Sequence, residues 1–204
     1  MIKNVIFDWS GTLSDDLTPF YNAAMLMFEK LGGKQISLDE FKREFKQPYM
    51  LFWNQYFPKL TKEKEYELYK EAIYQVEEPK CYEGVREVIE RLRALDIDMI
   101  VISSYLADKL ISEAKNYGIF DFFKELNGNI YDKAEVIAGI LARNGFDPKE
   151  TIYVGDTTHD IDAGKAASVR TVAITWGYQS EDQLRQAKPD HIITNISEVV
   201  QLLN

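Results

Sequence analysis

Short apolar runs alternating with helix-periodic segments limit the folds open to this chain more than any other feature. Val5-Ile6-Phe7, Met99-Ile100-Val101-Ile102, Ile152-Tyr153-Val154, Val172-Ala173-Ile174 and His191-Ile192-Ile193 each read as a brief strand. Between them, Val85, Val88, Ile89 and Leu92 recur at helical spacing, as do Val136, Ile137, Ile140 and Leu141 before Gly145. Strands that are apolar on both faces and alternate with helices predict an α/β fold, a doubly wound parallel sheet. In such sheets a ligand binds beyond the carboxyl ends of the strands. Asp8, Ser103 and Asp156 each follow an apolar run, so one shared site is expected there.

The pattern changes between residues 17 and 78. Ala23, Ala24, Leu26, Met27 and Leu31 keep helical spacing until Gly32-Gly33. Ser37-Leu38-Asp39-Glu40 reads as a capping box opening a second helix. Tyr66, Leu68, Tyr69, Ala72 and Ile73 mark another helix, and no strand is expected in this stretch. The predicted organisation is a core of residues 1–15 and 80–204, with a small all-helical cap, 16–79, inserted after the first strand. Phe45, Tyr49, Phe52, Trp53, Tyr56 and Phe57 form a dense aromatic cluster within it. Two readings stay open: a hydrophobic core for the cap, or a surface from which Lys46, Gln47, Tyr49 or Trp53 selects substrate.

A net charge of -9 disfavours a general nucleic-acid binder, because phosphate backbones need a basic surface. It does not exclude a small anion held by a few placed cations. Cys81 is the only cysteine, so no internal disulfide is expected. The apolar run before Asp8 is too short for a signal peptide, and no stretch approaches the roughly 18 apolar residues of a membrane span. The expectation is a cytoplasmic protein, monomer or homodimer, without nucleic-acid or membrane partners.

The chemistry-bearing residues fall in four places. Asp8 offers a carboxylate at a strand end, followed by a turn containing Gly11 and Thr12. Ser103 and Ser104 offer hydroxyls, and Lys133 an ammonium suited to phosphoryl oxygens. Gly155-Asp156-Thr157-Thr158-His159-Asp160 places two carboxylates four residues apart where a strand turns into a helix. Hard oxygen ligands of this kind suit Mg2+, which commonly takes one or two protein carboxylates.

Phe7-Asp8-Trp9-Ser10-Gly11-Thr12-Leu13, Val101-Ile102-Ser103-Ser104, Lys133 and Val154-Gly155-Asp156-Thr157-Thr158-His159-Asp160 resemble, in order, the four motifs of the haloacid dehalogenase (HAD) superfamily. Gly84 to Ser104 and Asp156 to Gly177 look most like its phosphoglycolate-phosphatase-like branch. The resemblance implies a HAD-like Rossmannoid core and a magnesium-dependent hydrolase acting on a small phosphorylated metabolite. It makes Asp8 the nucleophile that carries an aspartyl-phosphate. It places magnesium on Asp8, the carbonyl of Ser10 and Asp156, with Asp160 orienting that shell. It assigns phosphoryl binding to Ser103 and Lys133, and backbone donors to Gly11 and Thr12.

One position departs from the pattern. Family phosphatases usually carry a second aspartate two residues after the nucleophile, as acid and base, where this chain has Ser10. Three alternatives therefore stand beside each other: a phosphatase slowed or confined to good leaving groups, another HAD reaction, or a silent binding protein. Phosphonoacetaldehyde hydrolases resemble the Trp9-Ser10 region but need a cap lysine, and Phe52 falls where it is expected. Haloacid dehalogenases need no metal, against which the retained Asp156 and Asp160 weigh. His159 is read as a surface or neighbouring residue, and Asp162 as favouring the first turn of a helix. Tyr82 and Trp176-Gly177-Tyr178 are candidate cleft aromatics.

Overall fold

The structure is a computed structural model that describes residues 1–46 and 48–204, so the expectation placed on Gln47 lies outside the described residues. It divides into two compact units, Met1–Asp15 with Lys80–Asn204, and Asp16–Pro79.

In the first unit, β1 (Asn4–Phe7) is followed by a two-residue strand, β2 (Ser14–Asp15). After the second unit the chain returns through β3 (Lys80–Cys81), which pairs antiparallel with β2, Ser14 facing Cys81. At two residues each, these strands are too short to show periodicity in the sequence.

The α/β alternation then runs on from α5 (Val85–Ala94), α1 to α4 belonging to the second unit. It continues through β4 (Asp98–Ile102), α6 (Ala107–Asn116), β5 (Glu125–Asn127), α7 (Lys133–Asn144), β6 (Thr151–Gly155), α8 (Thr158–Ala166), β7 (Arg170–Ile174), α9 (Glu181–Gln186) and β8 (His191–Ile193). A 3₁₀ segment, Ile196–Leu203, closes the chain.

Six strands form one parallel sheet in the order β5-β4-β1-β6-β7-β8, with flanking helices, which is the α/β Rossmannoid fold. β1 lies between β4 and β6, Phe7 opposite both Val101 and Val154. That register brings Asp8, Ser103 and Asp156 to the same edge of the sheet. One face is covered by Ile137, Ile140 and Leu141 of α7 and Ala163 of α8, packed on Ile6, Ile100, Ile102 and Tyr153. Burial on both faces is why these strands are apolar throughout rather than alternating.

The second unit contains α1 (Leu17–Lys30), α2 (Leu38–Glu44), α3 (Met50–Tyr56) and α4 (Lys62–Ile73). Ser37 caps α2 by accepting from the Glu40 N–H at 3.2 Å, and Thr61 caps α4 by accepting from Lys64 at 3.3 Å. The aromatic cluster is largely the core of this unit. Phe52 and Trp53 are buried, and both pack on Phe28; Phe41 lies edge-on to Phe52 at 5.2 Å. Trp53 therefore fills the interior instead of offering a surface for substrate.

Glu65, on α4, is buried in the same unit. Burial pushes its carboxyl up to about 7, against the opposing hydrogen bond from Trp53 and the charge of Lys62. A carboxyl raised in the folded state stabilises it while protonated, and that contribution is lost as pH rises through the folded value. Stability should therefore fall between pH 4.5 and about 7 by on the order of 3 kcal/mol. Glu65→Gln keeps an acceptor for Trp53 and should flatten this slope. Urea melts of both proteins from pH 5 to 8 check it, and parallel slopes refute it.

Candidate active site

Asp8 follows β1 directly, and its N–H donates to the Val154 carbonyl at 2.8 Å, extending the sheet ladder by one residue. The chain then folds into a tight turn around a single acceptor. The carbonyl of Trp9 receives the N–H groups of Thr12, Leu13 and Ser14 at 3.1, 2.9 and 3.0 Å. Gly11 occupies the left-handed region at φ 73°, and its N–H donates to the Ser14 carbonyl. This corrects one expectation. The Gly11 and Thr12 amides are consumed inside the turn, so they do not stand ready for a phosphate. What Thr12 brings to Asp8 is its hydroxyl, 3.5 Å from Asp8 Oδ2.

Lys133 is the first residue of α7, whose N-terminus is capped by Asp132 accepting from Glu135 N–H. Its ammonium is buried and donates to Asp8 Oδ1 at 2.8 Å and Asp160 Oδ1 at 2.6 Å. Asp160 is the third residue of α8. Its Oδ2 accepts from the Thr157 N–H at 3.0 Å and from the Thr157 hydroxyl, while Asp160 N–H donates back to that hydroxyl, forming a capping box. Its Oδ1 also accepts from the Tyr153 hydroxyl at 2.7 Å. With four donors on two oxygens, Asp160 is held rigidly and in turn holds Lys133. Asp160, not Asp162, occupies the first turn of α8; Asp162 is exposed one turn on.

Asp156 directly follows β6 and is buried. The loop after β7 closes on it: Tyr178 N–H donates to Asp156 Oδ2 at 2.6 Å, and Gln179 accepts from Thr158 N–H at 2.7 Å. Trp176 Nε1 reaches the Thr12 carbonyl at 3.2 Å, and Tyr82 donates to the Trp176 carbonyl at 3.4 Å. Only glycine fits at two points of this closure. A Cβ on Gly11 would lie 2.4 Å from Asp156 Oδ2, and one on Gly177 would lie 2.3 Å from Asp156 Cβ.

The electrostatics follow from three buried carboxylates around one ammonium. Burial pushes Asp8 up to about 6, opposed mainly by the charge of Lys133. Burial and then the charge of Asp8 push Asp156 well above the usual carboxylate range. Burial also acts against Asp160, but the Lys133 ion pair and its hydrogen bonds hold it low. Lys133 is itself opposed by burial, yet its two carboxylate partners hold it firmly protonated.

One oxygen each from Asp8, Asp156 and Asp160 lie within 4.8 Å of one another. Buried, crowded, oxygen-only and richer in negative than positive charge, this donor set fits a hard divalent cation such as magnesium.

Ser103 is buried just past β4, and its Oγ accepts from Tyr105 N–H at 3.1 Å; Ser104 is exposed. Ser10 is half-buried and bridges to Ser14. His159 is half-buried beside Asp160, and burial lowers its pKa. Lys46 and Tyr49 belong to the helical unit, Lys46 exposed and Tyr49 just before α3. Sequence reasoning missed Tyr153, which passed as one more apolar strand residue. Its signal was the need of a buried phenol for a polar partner.

A family model described as haloacid dehalogenase-like hydrolase matches residues 5–174. The chain belongs to that family. Among curated relatives, a phosphoglycolate phosphatase of Synechococcus elongatus is 26% identical over 124 residues, 60% of this chain and 58% of that protein. The pyrophosphatase PpaX of Halalkalibacterium halodurans is 26% identical over 127 residues, 60% of this chain and 59% of that protein. The chain thus spans less than two thirds of the curated relatives it matches. A solved haloacid dehalogenase-like hydrolase from Streptococcus pneumoniae superposes with a TM-score of 0.86 at 23% identity, covering 100% of this chain and 99% of that one. Among the described residues, no helix is long and apolar enough to cross a membrane.

Proposed function

We propose that this protein is a magnesium-dependent phosphatase for a small phosphorylated metabolite, with Asp8 as its nucleophile. The observation that carries this reading is the Lys133 ammonium bridging Asp8 and Asp160 at 2.8 and 2.6 Å, beside Asp156, at the carboxyl edge of the sheet. The names of the relatives, one a phosphomonoesterase and one a pyrophosphatase, support cleavage of a phosphorus–oxygen bond.

Asp8, Asp156 and the Ser10 carbonyl are the groups that would hold the cation, with Asp160 steadying the set through Lys133. Bound magnesium would offset phosphoryl charge at the nucleophile. An Asp8 oxygen attacks phosphorus, the bond to the leaving oxygen breaks, and an aspartyl-phosphate forms. Water then attacks that phosphorus, and phosphate leaves with Asp8 regenerated. Lys133 stays protonated throughout and faces the negative charge that gathers on the phosphoryl oxygens. Ser103 and the Thr12 hydroxyl are the remaining polar groups assigned to those oxygens. Lys46 and Tyr49 remain proposed selectors of the leaving group from the helical unit.

Ser10 is neither a useful acid nor a useful base at neutral pH, so the leaving oxygen must be stable as an anion or take its proton from water. Alkyl phosphates should therefore turn over slowly, and anhydrides or aryl esters faster. Ser10→Asp should raise kcat for alkyl phosphates by roughly 10²-fold, the low end of a general acid–base contribution, and for p-nitrophenyl phosphate by less. A magnesium-supplemented ester panel tests this directly. Equal gains for both classes would show that leaving-group protonation is not what Ser10 withholds. No turnover of any ester by wild type would remove the phosphatase reading.

The phosphonatase alternative is weakened within the helical unit. Phe52, at the expected lysine position, is fully buried among other aromatic rings.

A further inference from the structure

On the other side of the nucleophile turn lies a buried carboxylate that the proposed chemistry does not use. Glu113, on α6, is 1% exposed. Its Oε2 accepts from Trp9 Nε1 at 2.8 Å and from the Ser14 hydroxyl at 3.2 Å, and its Oε1 accepts from the Tyr105 hydroxyl at 2.7 Å. The Trp9 indole is fully buried and stacks on Tyr117, centroids 5.6 Å apart and planes 9° from parallel. The Tyr117 hydroxyl meets the Ser14 hydroxyl at 2.8 Å.

These contacts grip both ends of one turn. Trp9 follows the nucleophile directly, and its carbonyl is the single acceptor around which residues 12–14 fold. Ser14 closes the turn and begins β2. Trp176 grips the same turn from its other side through the Thr12 carbonyl. The chemistry of the acceptor is specific. Three donors converge on Glu113, and a carboxylate, with two acceptor oxygens and no donor, accepts all three without reversing either hydroxyl. A glutamine would turn an N–H toward at least one of them. Burial pushes the Glu113 carboxyl up, opposed first by the Trp9 bond and then by Tyr105, Ser14 and the charge of Lys109.

We propose that Glu113 is a positioning residue, which fixes the Trp9–Ser14 turn and through it the direction in which Asp8 is presented. This rests on Asp8 being the nucleophile, so its test includes measurements that need no turnover. The protein has three tryptophans, which makes the indole N–H resonances separable by single Trp→Phe variants. In Glu113→Gln the Trp9 indole resonance should move while that of Trp53, in the helical unit, stays. The amides of Thr12, Leu13 and Ser14 should exchange at least 10-fold faster, with β6 amides still protected. With p-nitrophenyl phosphate and magnesium, kcat should fall about 10- to 100-fold and KM change much less, since Lys133 and Ser103 lie outside the turn. Ser14→Ala, which removes one donor and almost no volume, should shift the same readouts in the same direction by less, and serves if Glu113→Gln does not fold.

Unchanged exchange at residues 12–14 overturns the proposal whatever the activity shows. Faster exchange with wild-type kcat overturns it too, leaving Glu113 a purely structural anchor. A wild type without any turnover removes the phosphatase reading alone, and the exchange result then decides whether Glu113 fixes the turn.

Discussion

Asp8→Asn is expected to abolish phosphate-ester hydrolysis, a loss on the order of 10⁴–10⁶-fold, as removal of a nucleophile does in enzymes with covalent intermediates. The same substitution should make the metal-free protein more stable, not less. Asp8, Asp156 and Asp160 are three buried carboxylates served by one ammonium, and the asparagine removes one like charge from that group. Stability and activity are thus expected to move in opposite directions, the trade-off of a site built for charge rather than for packing. Thermal melts in a chelator, beside turnover with magnesium, check both parts. An Asp8→Asn protein that retains turnover would remove Asp8 from the nucleophile role. One that melts lower would show that the Lys133 contact outweighs the repulsion.

Lys133→Met is expected to lose both. The methionine matches much of the stem's volume but leaves the carboxylates without their cation. Breaking a buried ion pair by removing one partner costs about 3–5 kcal/mol. For a chain of this size that is a fall in melting temperature on the order of 10 °C. Magnesium should restore more of the melting temperature in this variant than in wild type, because it supplies the missing positive charge. Turnover should stay low even in excess magnesium, since the ammonium facing Asp8 Oδ1 is gone. A variant that melts like wild type in chelator would mean that the carboxylates relieve their repulsion by taking up protons. Measuring proton uptake on folding separates that outcome.

Much of this arrangement was legible in the residues. The strands around Val5-Ile6-Phe7, Met99–Ile102, Ile152–Val154 and Val172–Ile174 announced themselves because burial on both faces makes a strand apolar throughout. Asp8, Lys133, Asp156 and Asp160 were singled out by chemistry, and the structure brings their side chains together. What stayed hidden had a common cause. α6 buries Lys109 and Glu113 along with Leu110 and Ala114, so its inward face does not look apolar. β5 is three half-buried residues, Glu-Leu-Asn, with no run to detect. The turn amides of Gly11 and Thr12 were expected to serve a ligand, and their use within the turn depends on backbone geometry that residue type does not record.

The central place of β1 has a consequence for how the protein is made. Its partners are Asp98 and Thr151 for the same residue, Asn4, so the strand leading to Asp8 is flanked on both sides only once a segment nearly 150 residues further along the chain is in place. Contacts this distant in sequence form slowly, and at synthesis rates of about 5–20 residues per second the first strand waits for many seconds. The helices of residues 16–79 close on near neighbours and are complete well before. The nascent chain therefore carries Asp8 on a segment that is made well before its partners and seated late, and the three carboxylates and Lys133 come together only once β6 and α8 have emerged.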